Sequence, residues 1–596
     1  MATEVDKRGS MGAVPRARRR WWRIVVAVVA ALALALFLYV MIRSPRDYKG
    51  ELARLLPART SGYLALHDFD GIRERIGQTR LYEQLAASVD LAALLMTSDD
   101  WREYQRDKDS ATWKAKAALA REFLRRYFSR EVVVALAWLD RCDEPALLVL
   151  ARTELGFVEK LGELCAELYP ELRLSTERYR GIRLYAYESS RSKRSFTFVR
   201  FGRTVVLSLW SNERDYLRRI IDYRLDAPAE TLFDREDFQQ AWRSPARQQG
   251  LLAVARPNAL LDDLNARPEF SFEKHFPEPR QARLRRGLSP PYGGFRAIEA
   301  GLTVSEGIEM RIVLRRDEAA SPSLPLTGTH KPLTLLGTVP SDCLAFSAFR
   351  FGSPAETLAA VLNIYREFSG EADDSPRSLV ESVQRLNAQW GLDINRDLAP
   401  ALGREAALVV HDVQLPLIIV GSLVLPVTDR ERCESALRRL AETCANLHAA
   451  ETRPPQLLET FRETPEFRPL YLTPLGFLGV GRLNGYCTWG FSPASYLAMR
   501  AMVDGDGTAI TSSTVFQSLG LPVGEPLDVV AFVNLEEVGQ RAEGLLAVLS
   551  LVSKSVRKRS AKYGKIVAVA KLLRGVGCYV RHTEQDYTVV LRVPTD

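Results

Sequence analysis

Two aspartates one residue apart with a following threonine, as in DGDGT (504–508), have the spacing for phosphoryl transfer, in which one carboxylate attacks and the other manages the proton. That chemistry needs the string at the end of a buried parallel strand. Here it follows YLAMRAMV (496–503), whose pattern predicts a helix, so a polar helix-to-strand connection is expected. Asp393, Asn395 and Asp397 have the alternate spacing of the first three calcium-loop ligands. The sixth position is Leu398 rather than glycine and the twelfth is Arg404 rather than glutamate, leaving only Glu405 to complete a set. Turn formation and capping are therefore expected of these residues. Ser190 to Lys193 and Ser555 to Lys558 match the S-x-x-K spacing of serine acyl-transfer sites, yet no K-T-G partner is present. GVGRLNG (479–485) has the wrong spacing for a dinucleotide or phosphate loop and reads as a β-turn with a bulge.

The other chemistry-bearing residues are dispersed. His67, His275, His330, His411, His448 and His582 form no close pair. Cys142, Cys165, Cys343, Cys433, Cys444, Cys487 and Cys578 make no C-x-x-C and no zinc spacing. Cys433 and Cys444 fall on one predicted helix about 16 Å apart, too far to bridge. Buried free thiols are the expected state, with a Cys142–Cys165 disulfide the alternative in an oxidising compartment. No catalytic, cofactor-binding or metal-ligating residue is assigned, and the expectation is a protein that is not an enzyme.

One basic feature stands out. Arg280, Arg283, Arg285 and Arg286 lie ahead of one pair of closing strands, and Lys554, Arg557, Lys558, Arg559, Lys562 and Lys565 lie ahead of another. Of these, Arg283, Arg285, Arg286, Arg557, Lys558 and Arg559 are the candidate contacts to an anionic surface such as lipid headgroups or an envelope polymer. The competing expectation is a solvated helix face. The net charge of +8 does not point to nucleic acid, because the first 23 residues carry seven basic side chains against Glu4 and Asp6. The remaining body is only about +3.

Those residues must be held by something, and the sequence supplies an anchor and two modules. IVVAVVAALALALFLYVMI (24–42) is nineteen apolar residues without a charge, about 28 Å as a helix and close to a bilayer's hydrocarbon thickness. Trp21 and Trp22 precede it, Tyr39 lies near its end, and the basic tail of residues 1–23 places the N-terminus in the cytoplasm. Ala31, Ala33 and Ala35 offer a signal-peptidase spacing, but the run continues beyond them to spanning length, so an uncleaved transmembrane helix is expected. Arg43, Arg46 and Lys49 follow it, which makes the charge asymmetry modest.

At 596 residues, 46% hydrophobic and 26% charged, the chain has ordinary folded-protein composition and more length than one core uses. LLPARTSGYLALHDF (55–69) corresponds to GTVPSDCLAFSAFRF (337–351), and SREVVVALAWL (129–139) to GREAALVVHDV (403–413). The Tyr216-Leu217 and Tyr496-Leu497 pairs, Phe238-Gln239 and Phe516-Gln517, and the closing strands MRIVLR (310–315) and YTVVLRV (587–593) continue the series. The ordered series predicts a tandem duplication, with copies at 52–320 and 333–596 joined by a Pro/Ser/Thr-rich linker at 321–332. Strands in adjacent groups separated by helices predict an α+β fold: two modules of mixed or antiparallel sheet plus helix behind one transmembrane helix.

The LPARTSGYL opening (56–64) and the GLDINRDL segment (391–398) leading into LGRE resemble a family of bacterial membrane-anchored extracytoplasmic proteins known only as a domain of unknown function. The first copy lacks the GLDxxxDL segment. The resemblance implies a location, a single pass through the cytoplasmic membrane with a periplasmic ectodomain, and carries over no active-site residue. Membrane-anchored, non-enzymatic binding or scaffolding is the expected function, with an envelope protein, lipid or anionic polymer as partner. A carrier for a lipid or other apolar ligand is the alternative, and an extracytoplasmic hydrolase comes third.

Overall fold

The computed structural model describes residues 48–67, 69–79, 82–83, 131–138, 145–153, 172–189, 195–209, 214–226, 230–243, 250–265, 295–304, 307–316, 331–352, 388, 393–414, 418–450, 467–473, 476–490, 492–583 and 586–594. The first half contains, in chain order, β1 (Gly62–Leu66), α1 (Phe69–Gly77), β2 (Glu131–Ala137), β3 (Ala146–Arg152), β4 (Leu172–Tyr179), β5 (Ile182–Ser189), β6 (Ser195–Phe201) and β7 (Thr204–Leu209). It closes with α2 (Asp215–Asp226), α3 (Glu236–Trp242), β8 (Leu251–Ala255), α4 (Pro257–Asn265), β9 (Phe295–Val304) and β10 (Gly307–Arg316). The second half begins with β11 (Ala345–Arg350), β12 (Glu405–Gln414), β13 (Ile418–Pro426), α5 (Arg430–Ala450), β14 (Phe467–Thr473), β15 (Gly476–Leu483), β16 (Tyr486–Gly490) and α6 (Pro493–Asp504). After these come α7 (Thr514–Ser518), β17 (Val529–Asn534), α8 (Leu535–Val552), α9 (Lys554–Leu573), β18 (Gly575–His582) and β19 (Asp586–Pro594).

Runs such as VVVALA and LLVLA form strands because β-branched and aliphatic side chains suit a pleated, half-buried surface. Alternation then sends one set of side chains into the core. On β1, Tyr63 and Ala65 are buried and Leu64 is not. Tight hairpins keep successive strands adjacent: Leu483 pairs with Tyr486 around Asn484 and Gly485, and Gly485 takes the left-handed φ of 78° that such a two-residue turn requires.

Followed through hydrogen-bonded neighbours, the first half runs β4-β5-β6-β7-β3-β2-β1-β8-β9-β10. The second runs β14-β15-β16-β13-β12-β11-β17-β18-β19. Apart from β4, the order of pairings is the same. Matching positions also make matching contacts. Tyr63 meets Phe238 edge-on at 4.9 Å and Phe346 meets Phe516 at 5.7 Å, while the turn before the first strand bridges Pro57 to Thr231 in one half and Pro340 to Ala509 in the other. Each half has its own principal core, one built on Leu52, Tyr63, Phe238 and Trp242, the other on Leu335, Phe346, Tyr496 and Phe532. Each such large side chain removed from water contributes roughly 1.5–3 kcal/mol.

The expected fold class is corrected by one pairing. β10 lies antiparallel to β19 over nine residue pairs, from Gly307 opposite Pro594 to Arg315 opposite Asp586. Among the described residues the strands therefore form one 19-stranded sheet rather than two α+β modules, and every pairing between these strands is antiparallel. Periodicity reports which face of a strand is buried and is silent about which distant strand it joins, so two closing strands can be read correctly and their mutual pairing missed. The transmembrane part of the expectation falls on residues 24–42, outside the described residues; among those described, no helix is long and apolar enough to cross a membrane.

The seam is self-complementary. Ile312 stands opposite Val589 at its middle. On one side Arg315 reaches Asp586 at 3.2 Å, and on the other Arg592 reaches Glu309 at 2.7 Å. Arg315 also binds Glu299 of β9, whose carboxyl is pushed upward by burial against the opposing pull of Arg315.

Candidate functional site

The basic segment singled out in the second half is part of a helical hairpin inserted between two paired strands. Asn534, the last residue of β17, is opposite Gly575, the first of β18, and α8 and α9 occupy all but Ser553 and Arg574 of the stretch between them. Asn534 caps α8 by accepting the Glu537 N–H at 3.2 Å, and Glu536 and Glu537 favour the positive end of the helix dipole. Ser553 alone separates the helices, in extended conformation, so α9 runs back along α8. With 18 and 20 residues the two helices are about 27 and 30 Å long.

Among the described side chains, one ion pair ties the hairpin to the sheet and others tie its helices together. Arg541 pairs with Asp412 of β12 at 3.3 Å, Arg574 with Glu536 at 3.9 Å, and Lys571 with Glu543 across the two helices. Beyond Glu543 the character of α8 changes. Its distal part, GLLAVLSLV (544–552), has no charged residue, and Gly544, Ala547, Val548 and Leu551 are exposed at three- and four-residue spacing. Val548 is 42% and Leu551 83% exposed. Facing this stretch is α9, which carries Lys554, Arg557, Lys558, Arg559, Lys562, Lys565 and Lys571 and no Asp or Glu. Arg557 is exposed. A cleft of about 280 Å3 lies between the helices, lined by Leu546, Ser550, Ser560, Gly564 and Val567 among others.

No family model, no curated protein and no solved structure matches this chain. Its site is therefore built from its own geometry alone.

Arg557, Lys558 and Arg559 are thus brought onto the first turns of α9, beside the apolar tip of α8. Arg283, Arg285 and Arg286 lie outside the described residues. Sequence reasoning passed over Val548 and Leu551: nine uncharged residues lead towards the basic cluster, a pattern that a core-facing helix shares.

The other candidate strings resolve into local structure. DGDGT begins at the last residue of α6, where Gly505 takes a left-handed φ of 89° and ends the helix. Asp393 and Asp397 hydrogen-bond each other's neighbourhood: Asp397 accepts the Asp393 N–H at 3.0 Å and Asp393 accepts the Arg396 N–H at 3.2 Å. Ser555 to Lys558 lies along α9, whereas Ser190 to Lys193 lies outside the described residues. Among the described residues no group of three His, Cys, Asp or Glu side chains could hold a metal ion. Cys343, Cys433, Cys487 and Cys578 are free, and burial pushes the Cys343 thiol up to about 12. Cys142 and Cys165 lie outside the described residues.

One pair has the look of a nucleophile and its base. His411 Nε2 is 3.0 Å from Ser422 Oγ. Ser422, however, is fully buried and gives its proton to the Ser495 carbonyl at 3.2 Å. The imidazole N–H then donates to Oγ, the reverse of what an activated serine needs, and burial holds the His411 pKa down to about 4. It is a structural hydrogen bond within the sheet.

Two further ionic sites recur at the start of the second strand. Glu131 binds Arg152 at 2.6 Å and His67 at 3.4 Å; Glu405 binds Arg350 at 2.6 Å. Burial raises both carboxyls, but their partners outweigh it and hold them below the usual range. Arg350 also donates to the Lys331 and Pro332 carbonyls, tying down the turn ahead of β11.

Proposed function

We propose that this chain is a membrane-anchored protein of the bacterial envelope that binds or scaffolds rather than catalyses, and that it meets anionic headgroups through α9. The anchor is supported by the apolar run at 24–42 behind its basic tail, and by the resemblance carried by LPARTSGYL and GLDINRDL. The surface contact rests on one observation: a 20-residue helix with seven basic and no acidic residues is carried on a helical hairpin whose described ion pair to the sheet, Arg541 with Asp412, lies on the first half of α8. Each basic residue near an anionic surface contributes about 1 kcal/mol, so the cluster has ample reach for reversible docking. The 19-stranded sheet then supplies a rigid platform beside the membrane for an envelope partner.

The test uses the full chain, reconstituted through its own apolar run into vesicles holding phosphatidylglycerol with a photoreactive headgroup. Crosslinks are expected within 554–565. Combined Arg557→Glu, Lys558→Glu and Arg559→Glu should lower them at least about tenfold. Unchanged crosslinking in that variant, or equal crosslinking to a zwitterionic probe, overturns the reading.

A further inference from the structure

We infer that the distal half of α8 inserts its exposed stripe into the acyl region of the same anionic membrane, just below the headgroups that α9 contacts. This rests on the reading of α9 as a headgroup-binding helix. Exposed apolar side chains are unremarkable when single; here Ala547, Val548 and Leu551 recur within one turn, in a segment with no charge, at the end of α8 opposite to its junction with β17. A stripe of this kind needs a cover. Its neighbour decides which: the chain turns through Ser553 alone, and the next residues are Lys554, Arg557, Lys558 and Arg559. An exposed apolar stripe followed directly in the chain by an acid-free run of lysine and arginine has the composition of an element lying in a membrane interface, where apolar residues enter the acyl chains and basic ones meet the phosphates. A protein groove able to cover Leu551 would have to accommodate this acid-free basic stretch as well, whereas an anionic bilayer matches both at once. The base of the hairpin keeps its charges on the polar side, with Glu536, Glu537, Arg541 and Glu543 grouped on the first half of α8.

The experiment again uses the full chain in phosphatidylglycerol vesicles, now with the photoreactive group at the end of the acyl chain. Crosslinks are expected at 24–42, which serves as internal control, and at 544–552. Val548→Ser with Leu551→Ser should reduce the crosslinks at 544–552 about tenfold, because two exposed apolar side chains no longer favour the acyl phase, while headgroup crosslinks at 554–565 persist. Both positions are exposed, so the fold does not depend on them. Acyl-probe labelling at 24–42 without labelling at 544–552 overturns the insertion, and if headgroup labelling at 554–565 is retained, the contact through α9 stands without it. Loss of headgroup labelling as well brings down the underlying reading.

Discussion

His411 is the extra residue of a β-bulge on β12, where Val410 pairs with Gly421 and Asp412 already pairs with Val420. Its environment sets a pH dependence. An imidazole with a folded pKa of about 4, but about 6.5 when unfolded, leaves the unfolded chain binding more protons between those values. Its contribution is complete above about pH 6.5 and is lost as pH falls towards 4, by up to about 3 kcal/mol. Urea unfolding followed from about pH 7 to 4.5 should show this loss in the native chain and much less of it in His411→Gln. Equal pH dependence in both would contradict the assignment. Glu131 and Glu405 act in a lower window: with folded pKa values below the ordinary range, their stabilisation is present above about 4.5 and disappears under it.

At the scale of elements, the seam carries the most direct prediction. Arg315 with Asp586 and Arg592 with Glu309 join strands that are otherwise each closed by their own hairpin. Arg315→Asp and Asp586→Arg should each destabilise the chain, and together restore part of the loss, giving a coupling of about 0.5–3 kcal/mol in a double-mutant cycle. Additive losses would show that the pair contributes nothing across the seam. Much at this scale was readable in the sequence. MRIVLR and YTVVLRV declare themselves as strands by their β-branched alternation, the Tyr216-Leu217 and Tyr496-Leu497 pairs as parts of helices, and Asn484-Gly485 as a turn. Pairing between residues some 270 apart has no local signature, so the joining of the two halves was not readable. The candidate site divides the same way. The charges of α9 are plain in the sequence, but GLLAVLSLV fits a core-facing helix equally well until Val548 and Leu551 are found exposed.

For the whole molecule, the nine-pair ladder between β10 and β19 makes the two principal cores mechanically one object. Calorimetry of the full chain should show them melting in a single transition. Arg315→Glu combined with Arg592→Glu places like charges opposite Asp586 and Glu309, and should split that transition in two. Two well-separated transitions in the native chain would mean that the ladder does not couple the halves.

The seam also has a schedule. β10 ends at Arg316, and its partner begins at Asp586, 270 residues later. At about 5–20 residues per second of synthesis, β10 waits roughly a quarter of a minute to a minute with one row of N–H and C=O groups unsatisfied. An edge left open for that long is a template for any passing strand. GIEMRIVLRR answers with Glu309, Arg311, Arg315 and Arg316 along its length, charges that resist indiscriminate pairing while the chain is unfinished. Two of them, Glu309 and Arg315, become the ion-pair partners of Arg592 and Asp586 once β19 arrives. The same side chains that keep strangers off the nascent edge thus admit the one strand that is meant to complete it.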